Sequence, residues 1–261
     1  NSKIIFEMKI ILIFFTILFT LNSLSSREIG ETEITAEEGI EVFQNEKYYL
    51  LKKNVKIISD NFILEGDVVK LFFEKDLYDI TKVDAKGNVD LTSSLYAIKA
   101  SGDNLYFILQ NEEIQILGKN SILVTEDTEM YSDGKIKVEN KNGNFELNGL
   151  NSSLKNNNII IEGYDIKGTF STNSESKEII FLDVYDKSNA YINNGNTEMY
   201  GNKINYSKKT SLIELEDNVK IIRDGELITG DYGTLDTNNN SYKIKSKDEK
   251  KVIAIISDTN E

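Results

Sequence analysis

The sequence predicts an all-β protein of about 18 to 20 short antiparallel strands, and two features of the chain lead to this prediction. Short runs rich in Ile, Val, Leu, Phe and Tyr alternate with polar residues and end at Asn, Asp, Gly or Ser, as strands and turns do. In addition, no segment after Arg27 keeps the apolar period of a helix over about 12 residues. Only residues 35–43 leave room for a brief helical turn.

A repeated unit organises these strands. The segment LEDNVKIIRDGELITGDYGTL (215–235) resembles KKNVKIISDNFILEGDVVKLFF (52–73), and two further copies share the spacing. In each copy an Asn opens a strand, and a Gly followed by Asp or Asn comes 12 or 14 residues later. These residues are Asn54, Asn88, Asn189 and Asn218, and Gly66, Gly102, Gly201 and Gly230. We expect a bulge or tight corner at each Gly, where the inward-facing parity changes.

The repeats also divide the chain into parts. Residues 26–120 and 185–261 carry the regular copies. Residues 121–184 are irregular, and they contain either diverged copies or the join between two lobes. Because one unit is too small to bury its apolar face alone, we expect the copies to stack into an elongated β-structure.

The N-terminal segment predicts a secretory signal peptide at residues 1–25, with Met8 as the start of translation. Lys9 precedes an apolar run at residues 10–21, and residues 23–25 have the small-x-small form of a cleavage site. The run is shorter than the roughly 20 residues that span a bilayer, which disfavours a retained membrane anchor. We therefore expect an exported protein.

The composition excludes several classes of site. The chain has 261 residues and contains no Cys and no His, so it has no disulfide, no Cys or His metal site, no His base and no Cys nucleophile. A net charge of -13 disfavours binding to nucleic acid. We predict no catalytic residue, no bound metal and no cofactor.

Two segments resemble the OstA-like repeat of lipopolysaccharide-transport proteins. They are DAKGNVDLTSSLYAIKASGDNLYFILQNEEIQILGK (84–119) and LEDNVKIIRDGELITGDYGTLDTNNNSYKIKS (215–246). The resemblance implies a β-jelly-roll, or β-taco, whose two sheets enclose an apolar groove for lipopolysaccharide acyl chains. It also implies open edge strands that join end to end with other copies or with other Lpt-type proteins. The soluble periplasmic LptA-like bridge resembles this chain most, and the alternatives are a membrane-anchored LptC-like protein and the N-terminal region of the outer-membrane partner.

The inward positions of the repeats are the candidate lipid-groove residues. They share the buried parity of their strands. They are Val55, Ile57, Leu64, Leu71, Val89, Leu91, Leu105, Phe107, Val219 and Ile221. The alternative is an ordinary dry core, which every all-β protein needs.

Two polar groups have simpler explanations than a ligand site. Asp236, Asn238 and Asn240 match the first ligands of a calcium loop, but the closing Gly and Glu of that loop are absent, so we predict a hairpin turn. Lysines at positions 47, 52, 53 and 56 could meet lipid phosphates, yet solvated charges that blunt an edge strand explain them better.

The sequence therefore predicts a periplasmic protein that binds lipopolysaccharide, reaches membranes through its partners and carries out no reaction. One alternative is a structural or adhesive surface repeat protein with a closed core. Another is a β-solenoid enzyme acting on glycans, which would need two carboxylates at a fixed separation in one cleft.

Overall fold

The computed structural model describes residues 29–75, 79–172, 177–247 and 251–256. Within these ranges the chain forms 20 β-strands, one short 3-10 turn and no α-helix, so the predicted all-β class is confirmed. No helix among the described residues has the length and apolar character needed to cross a membrane. The predicted signal peptide lies outside the described residues. The expected helical turn at residues 35–43 is wrong: Gly39–Phe43 is a strand, because pairing with its neighbour satisfies the backbone.

The strands are numbered in chain order, and each is paired with at least one other strand. Their bounds are β1 Glu33–Thr35, β2 Gly39–Phe43, β3 Tyr48–Ile58, β4 Phe62–Phe73, β5 Ile80–Ser93, β6 Ile98–Ile108, β7 Glu113–Leu117, β8 Ser121–Val124, β9 Thr128–Ser132, β10 Lys135–Glu139, β11 Asn144–Asn148, β12 Ser153–Asn156, β13 Ile159–Glu162, β14 Asp165–Phe170, β15 Ile179–Asn194, β16 Thr197–Ser207, β17 Leu212–Arg223, β18 Glu226–Asp236, β19 Ser241–Lys245 and β20 Ile253–Ile256.

All 20 strands belong to one antiparallel sheet that is folded along a line. Eight long strands, β3 to β6 and β15 to β18, cross this line, and the other twelve form six pairs with one strand on each side. We call each long strand or pair a rung, so the described chain has fourteen rungs, from β1/β2 to β19/β20. The side that contains β1 is the first arm and the side that contains β2 is the second arm. The fold line is the corner, and the opposite side, where the hairpin turns lie, is the mouth.

The two arms face each other across one apolar core. Alternate residues of every long strand point inward, and they join a single cluster of buried side chains. Tyr96, in a mouth turn of the first arm, lies edge-on against Phe107 of the second arm, with ring centroids 5.3 Å apart. This folded sheet with two facing arms agrees with the β-jelly-roll that the family resemblance implies.

The corner is made by pairs of residues with left-handed backbone. These pairs are Lys53/Asn54 in β3, Gly87/Asn88 in β5 and Asp217/Asn218 in β17, with φ between 46° and 73°. Asn, Asp and Gly tolerate this conformation better than other residues do. Each pair adds one residue to its strand relative to the neighbour, so the register shifts and the strand bends there.

The repeated Gly residues lie in the strands that pair with these bulges. Buried parity does change across them, as predicted, for example from Leu64 to Val69 in β4. Their backbone is not left-handed, however. The prediction that the bulge lies at each Gly is therefore wrong, and the strands bend at the Asn-containing pairs. Gly102 instead permits close packing, because a Cβ there would lie 2.6 Å from Ile116 Cγ2, whereas at Gly66 the nearest atom would be 3.6 Å away.

The middle rungs, β7 to β14, differ from the eight long strands because each is broken at the corner into two short strands, as the two end rungs also are. Three buried serines donate hydrogen bonds to backbone carbonyl groups at these breaks. Ser121, Ser132 and Ser152 donate to the carbonyls of Gly118, Asn148 and Gly149 at 2.9, 3.1 and 2.8 Å. Polar side chains thus complete the backbone hydrogen bonding of the middle rungs.

Candidate functional site: the interior between the two arms

The ten predicted groove residues all point inward, and each is at most 8% exposed. Four of them, Leu64, Leu91, Leu105 and Phe107, line a cavity of about 150 Å³ between the two arms. The other six pack in the core and do not line the cavities described below: Val55, Ile57, Leu71, Val89, Val219 and Ile221. That any of the ten contacts lipid stays a prediction.

Apolar residues near the mouth add to the lining of this first cavity, together with Asn61, Val83 and Ser93. Phe62, Leu95 and Tyr96 come from the first arm, and Ile80 and Leu109 from the second. No sequence pattern marked them, because turn residues and strand ends have no fixed place in the repeat. Their apolar character at turns, where polar residues usually stand, was the available clue.

A second cavity, of about 270 Å³, continues from the first and shares Leu95, Tyr96 and Phe107 with it. Glu112 and Asn140 give it a polar rim on the second arm. We call these two cavities together the N-terminal compartment. Its deep lining is apolar and its rim is polar, which is the arrangement that suits an amphiphile.

A third cavity, of about 290 Å³, lies in the C-terminal half and is lined by residues from β12 to the turn after β18. Its apolar lining is Ile159, Ile161, Ile179, Leu182, Ile192, Tyr206 and Ile213, and its rim is Asn156, Asn157, Glu178, Asn194 and Thr237. We call it the C-terminal compartment. Sequence reasoning did not select these residues. Those from Asn156 to Leu182 belong to the irregular part of the chain, and Ile192 and Tyr206, which match Ile57 and Leu71 in the repeat, were compared but not chosen as candidates.

Lys177 lies at the mouth between the two compartments. Its Nζ donates a hydrogen bond to Asn140 Oδ1 of the second arm at 2.6 Å, and its carbonyl accepts one from Asn156 Nδ2 of the first arm at 3.2 Å. Burial lowers the pKa of Lys177, while the nearby Glu112 and Asp127 carboxylates act in the opposite direction. The residue therefore bridges the two arms across the mouth.

Three of the lysines considered as lipid contacts pair with glutamates on the outer surface. Lys52 bonds Glu41 at 2.6 Å, and Lys56 bonds Glu65 at 2.7 Å. The hydrogen bond from each lysine to its glutamate raises the pKa of that lysine. Lys53 lies 3.3 Å from Glu37. These contacts favour solvated, locally paired charges.

The segment that resembles a calcium loop is a hairpin turn between β18 and β19, as predicted. Asp236 Oδ1 accepts a hydrogen bond from the backbone of Asn238 at 2.9 Å, and its Oδ2 accepts one from Asn239 Nδ2 at 3.1 Å. The carboxylate is thus used to hold the turn. Among the described residues no group of three or more Asp or Glu is arranged to hold a metal ion.

Both ends of the folded sheet are open within the described residues. β1 and β2 pair only with β3, and β19 and β20 pair only with β18. Apolar side chains on the inward face are left uncovered there: Ile40 is 48% exposed, Val42 is 47% exposed and Ile256 is 73% exposed. The ends therefore present unpaired strand edges together with apolar surface.

Comparison with known proteins gives little beyond this geometry. No protein-family model and no curated protein sequence matches the chain. Among solved structures, the chain is similar to LptH, described as the LptA homologous periplasmic component of the lipopolysaccharide transport device from Pseudomonas aeruginosa. The two chains are 11% identical, the alignment covers 87% of this chain and 96% of that chain, and the TM-score is 0.23.

Proposed function

We propose that this protein carries lipopolysaccharide across the periplasm by holding its acyl chains between the two arms, without chemistry. The observation that supports the proposal is the set of apolar cavities near the mouth, each lined by residues from both arms. The resemblance of the repeats to the OstA-like family points to the same class of lipid. Burial of each methylene group would contribute about 0.8 kcal/mol to binding.

The size of the cavities sets a condition on this function. Pockets for small ligands commonly measure about 300 to 1,000 Å³. The cavities here measure about 150 to 290 Å³, which is room for part of one chain and not for several. The arms are joined at the corner and meet at the mouth mainly through side chains such as Tyr96 and Phe107. Binding of a lipid with several acyl chains therefore requires the arms to separate at the mouth.

The direction of the end rungs supports end-to-end assembly of copies. The first rung runs from the mouth of the first arm, at Glu33, to the mouth of the second arm, at Phe43. The last rung runs the opposite way, from Ser241 to Ile256. A second copy placed beyond β19/β20 would thus continue the antiparallel sheet with its own β1/β2, and the apolar interior would run from one copy into the next.

Charge at the two ends supports the same pairing. Residues 29–43 contain five Glu and no basic residue, whereas residues 241–256 contain five Lys against one Asp and one Glu. The chain as a whole is strongly acidic, so a basic last rung is a local exception. Opposite charges would steer the last rung of one copy toward the first rung of another and disfavour contact between like ends.

Photocrosslinking tests lipid binding. A photoreactive residue at Leu91 would lie in the N-terminal compartment, and the same residue at Asp90 would lie on the outer face of the same strand. We expect crosslinks to lipopolysaccharide at position 91 and none at position 90. Absence of crosslinks at both positions, in a protein whose circular dichroism is unchanged, would contradict the proposal.

Sedimentation tests the end-to-end contact. Ile256→Glu places a negative charge on the inward face of the last strand, where it should be repelled by the Glu-rich first rung of a second copy. Ile63→Glu is the control, because Ile63 is 41% exposed and lies inside the sheet, away from both ends. We expect concentration-dependent assembly for the unsubstituted chain and the control, weaker at high salt, and monomers for Ile256→Glu. Equal assembly of both variants would contradict this contact.

A structural surface protein with a closed core is the second candidate function. It is favoured by the tight interior, where large side chains such as Leu51, Ile57 and Leu105 are fully buried. The photocrosslinking experiment separates the two functions, because a closed core would give no lipid adduct at Leu91.

A further inference from the structure

The apolar interior is interrupted in the middle rungs. The cavities of the N-terminal compartment share lining residues with each other, but neither shares a residue with the C-terminal compartment. Between them, Met130 and Leu154 of the first arm and Leu147 of the second arm are at most 3% exposed. These residues fill the space between the arms.

Near the mouth the N-terminal compartment extends into a further cavity of about 210 Å³, which shares Val138, Asn140 and Lys177 with it and reaches Phe170. That cavity shares no lining residue with the C-terminal compartment, so the wall lies between them. Phe145 and Phe170 pack together in the second arm with ring centroids 4.5 Å apart, and each is 3% exposed. Asn156, which is also 3% exposed, donates to Thr128 Oγ1 at 2.8 Å and to the carbonyl of Lys177 at 3.2 Å. The bond from Lys177 to Asn140 then completes the bridge between the arms.

We propose that this wall divides the interior into two separate hydrocarbon-binding compartments, each of which takes one chain of an amphiphile. The inference rests on the proposed function, since it assumes that the interior admits lipid chains. It goes further by placing two independent sites where a single continuous groove is the simpler expectation. The compartments have room for one chain segment each, and their polar rims lie at the mouth, where a headgroup would stay in water.

The composition of the chain allows each compartment to be probed separately. The chain contains no Trp, so a single introduced Trp reports on one position without background. Leu95→Trp places the reporter in the N-terminal compartment, and Tyr206→Trp places it in the C-terminal compartment. Leu95 is exposed and Tyr206 is partly exposed, so a larger ring fits at the cavity edge. The probe is 9,10-dibromostearate, whose bromine atoms quench Trp fluorescence on contact.

Each reporter is combined with a substitution that fills one compartment. Ile98→Phe fills the N-terminal compartment, and Ile159→Phe fills the C-terminal compartment; both are partly buried Ile residues on cavity walls. We expect Ile159→Phe to raise the half-quenching concentration of the Tyr206→Trp reporter about tenfold, equal to the loss of about two buried methylene groups. The same substitution should leave quenching of the Leu95→Trp reporter unchanged. Ile98→Phe should do the reverse.

Several outcomes would overturn the inference. If either filling substitution weakens quenching at both reporters equally, the interior is one continuous groove, and the proposed function stands while the inference fails. If neither reporter is quenched in folded protein, the interior admits no chain, and both fail. Native mass spectrometry of the unsubstituted chain gives an independent measurement: two bound probe molecules are expected, and saturation at one would contradict the two compartments.

Discussion

The regular rungs β3 to β6 and the middle rungs β7 to β14 pass from one arm to the other in different ways. In the regular rungs a single strand passes from one arm to the other through a left-handed pair such as Gly87/Asn88. In the middle rungs the strand is broken at the corner, and Ser121, Ser132 and Ser152 donate hydrogen bonds to backbone carbonyls at the breaks. A continuous strand needs no buried side chain at the corner, whereas a broken one does.

The difference has a consequence for the interior. The regular rungs have a mainly apolar inner face, with Ser93 as a buried polar residue at the mouth end of β5, and they leave a cavity beside Leu64 and Leu91. The middle rungs bring polar groups inside, and Asn156 and Thr128 are both 3% exposed at the mouth. Buried polar groups require fixed partners, so the middle rungs should be the rigid part and the regular rungs the adaptable part of the fold.

Removing a core leucine in each region should give the largest difference in the free energy of unfolding between the two regions. Leu154→Ala should lower the free energy of unfolding by about 4 kcal/mol, because Leu154 is fully buried in the packed wall. Leu64→Ala should cost about 2 to 3 kcal/mol, since one side of Leu64 already faces the first cavity and fewer contacts are lost. Urea titration followed by circular dichroism measures both values. Equal costs would mean that the cavity beside Leu64 does not persist in solution.

The buried amide of the middle rungs gives the next largest effect. Asn156 Nδ2 bonds Thr128 Oγ1 and the carbonyls of Asp127 and Lys177. Asn156→Ala should therefore lower the free energy of unfolding by about 2 kcal/mol, because buried acceptors lose their donor. Asn193→Ala is the control, since Asn193 is only partly buried and bonds the hydroxyl of Tyr191. A loss no larger than the control's would show that water replaces the Asn156 amide.

Sequence reasoning succeeded in the regular rungs because their burial repeats with a period of two. The inward residues Val55, Leu105 and Val219 were found from parity alone, and all are at most 2% exposed. It failed in the middle rungs, where inward residues such as Ser132 are polar and the breaks reset the parity. No local pattern separates a buried serine from one in an exposed turn, because the partner that decides between them lies 16 residues away.

The cavities were beyond prediction for a further reason. Leu91 lines a cavity, whereas Val89 packs fully in the core, although both point inward. The difference depends on which side chains of the opposite arm each residue meets. Parity fixes the side of the sheet and does not fix the separation of the arms. The ends were more predictable, since the Glu-rich start and the Lys-rich end are visible in the sequence.

Two glycines at the corner, Gly102 and Gly66, differ in the space around them. Gly102 lies in β6, next to the broken middle rung β7/β8, and a Cβ there would lie 2.6 Å from Ile116 Cγ2, so Gly102→Ala should cost about 1 to 2 kcal/mol. At Gly66, between regular rungs, a Cβ would meet nothing closer than 3.6 Å. Gly66→Ala should therefore be neutral or stabilising by about 0.4 to 1 kcal/mol. Thermal unfolding of the two variants measures the contrast, and destabilisation of both would contradict the ordinary contact distances at Gly66.

Surface ion pairs should give the smallest difference in the free energy of unfolding between the middle and the regular rungs. In the middle rungs Lys137 bonds Glu139 at 2.7 Å and Glu113 at 3.1 Å, and all three side chains are less than 30% exposed. In the regular rungs Lys56 bonds Glu65, and both are nearly half exposed. Glu139→Gln should cost a few tenths to about 1 kcal/mol, whereas Glu65→Gln should have no resolvable effect. Urea titrations at pH 7 measure both.

The pH dependence of the stability of Glu139→Gln tests whether the charge of the Glu139 carboxylate causes the loss. The hydrogen bond from Lys137 lowers the pKa of Glu139 below the ordinary value of a glutamate. A carboxylate with a lowered pKa stabilises the fold above its unfolded pKa, and this contribution is lost as the pH falls through the folded value. The stability difference between Glu139→Gln and the unsubstituted chain should therefore be constant from pH 8 to about 5 and shrink toward zero below about 4. A difference that persists at low pH would mean that Glu139 acts through packing, and the middle rungs would then owe their rigidity to their buried polar groups alone.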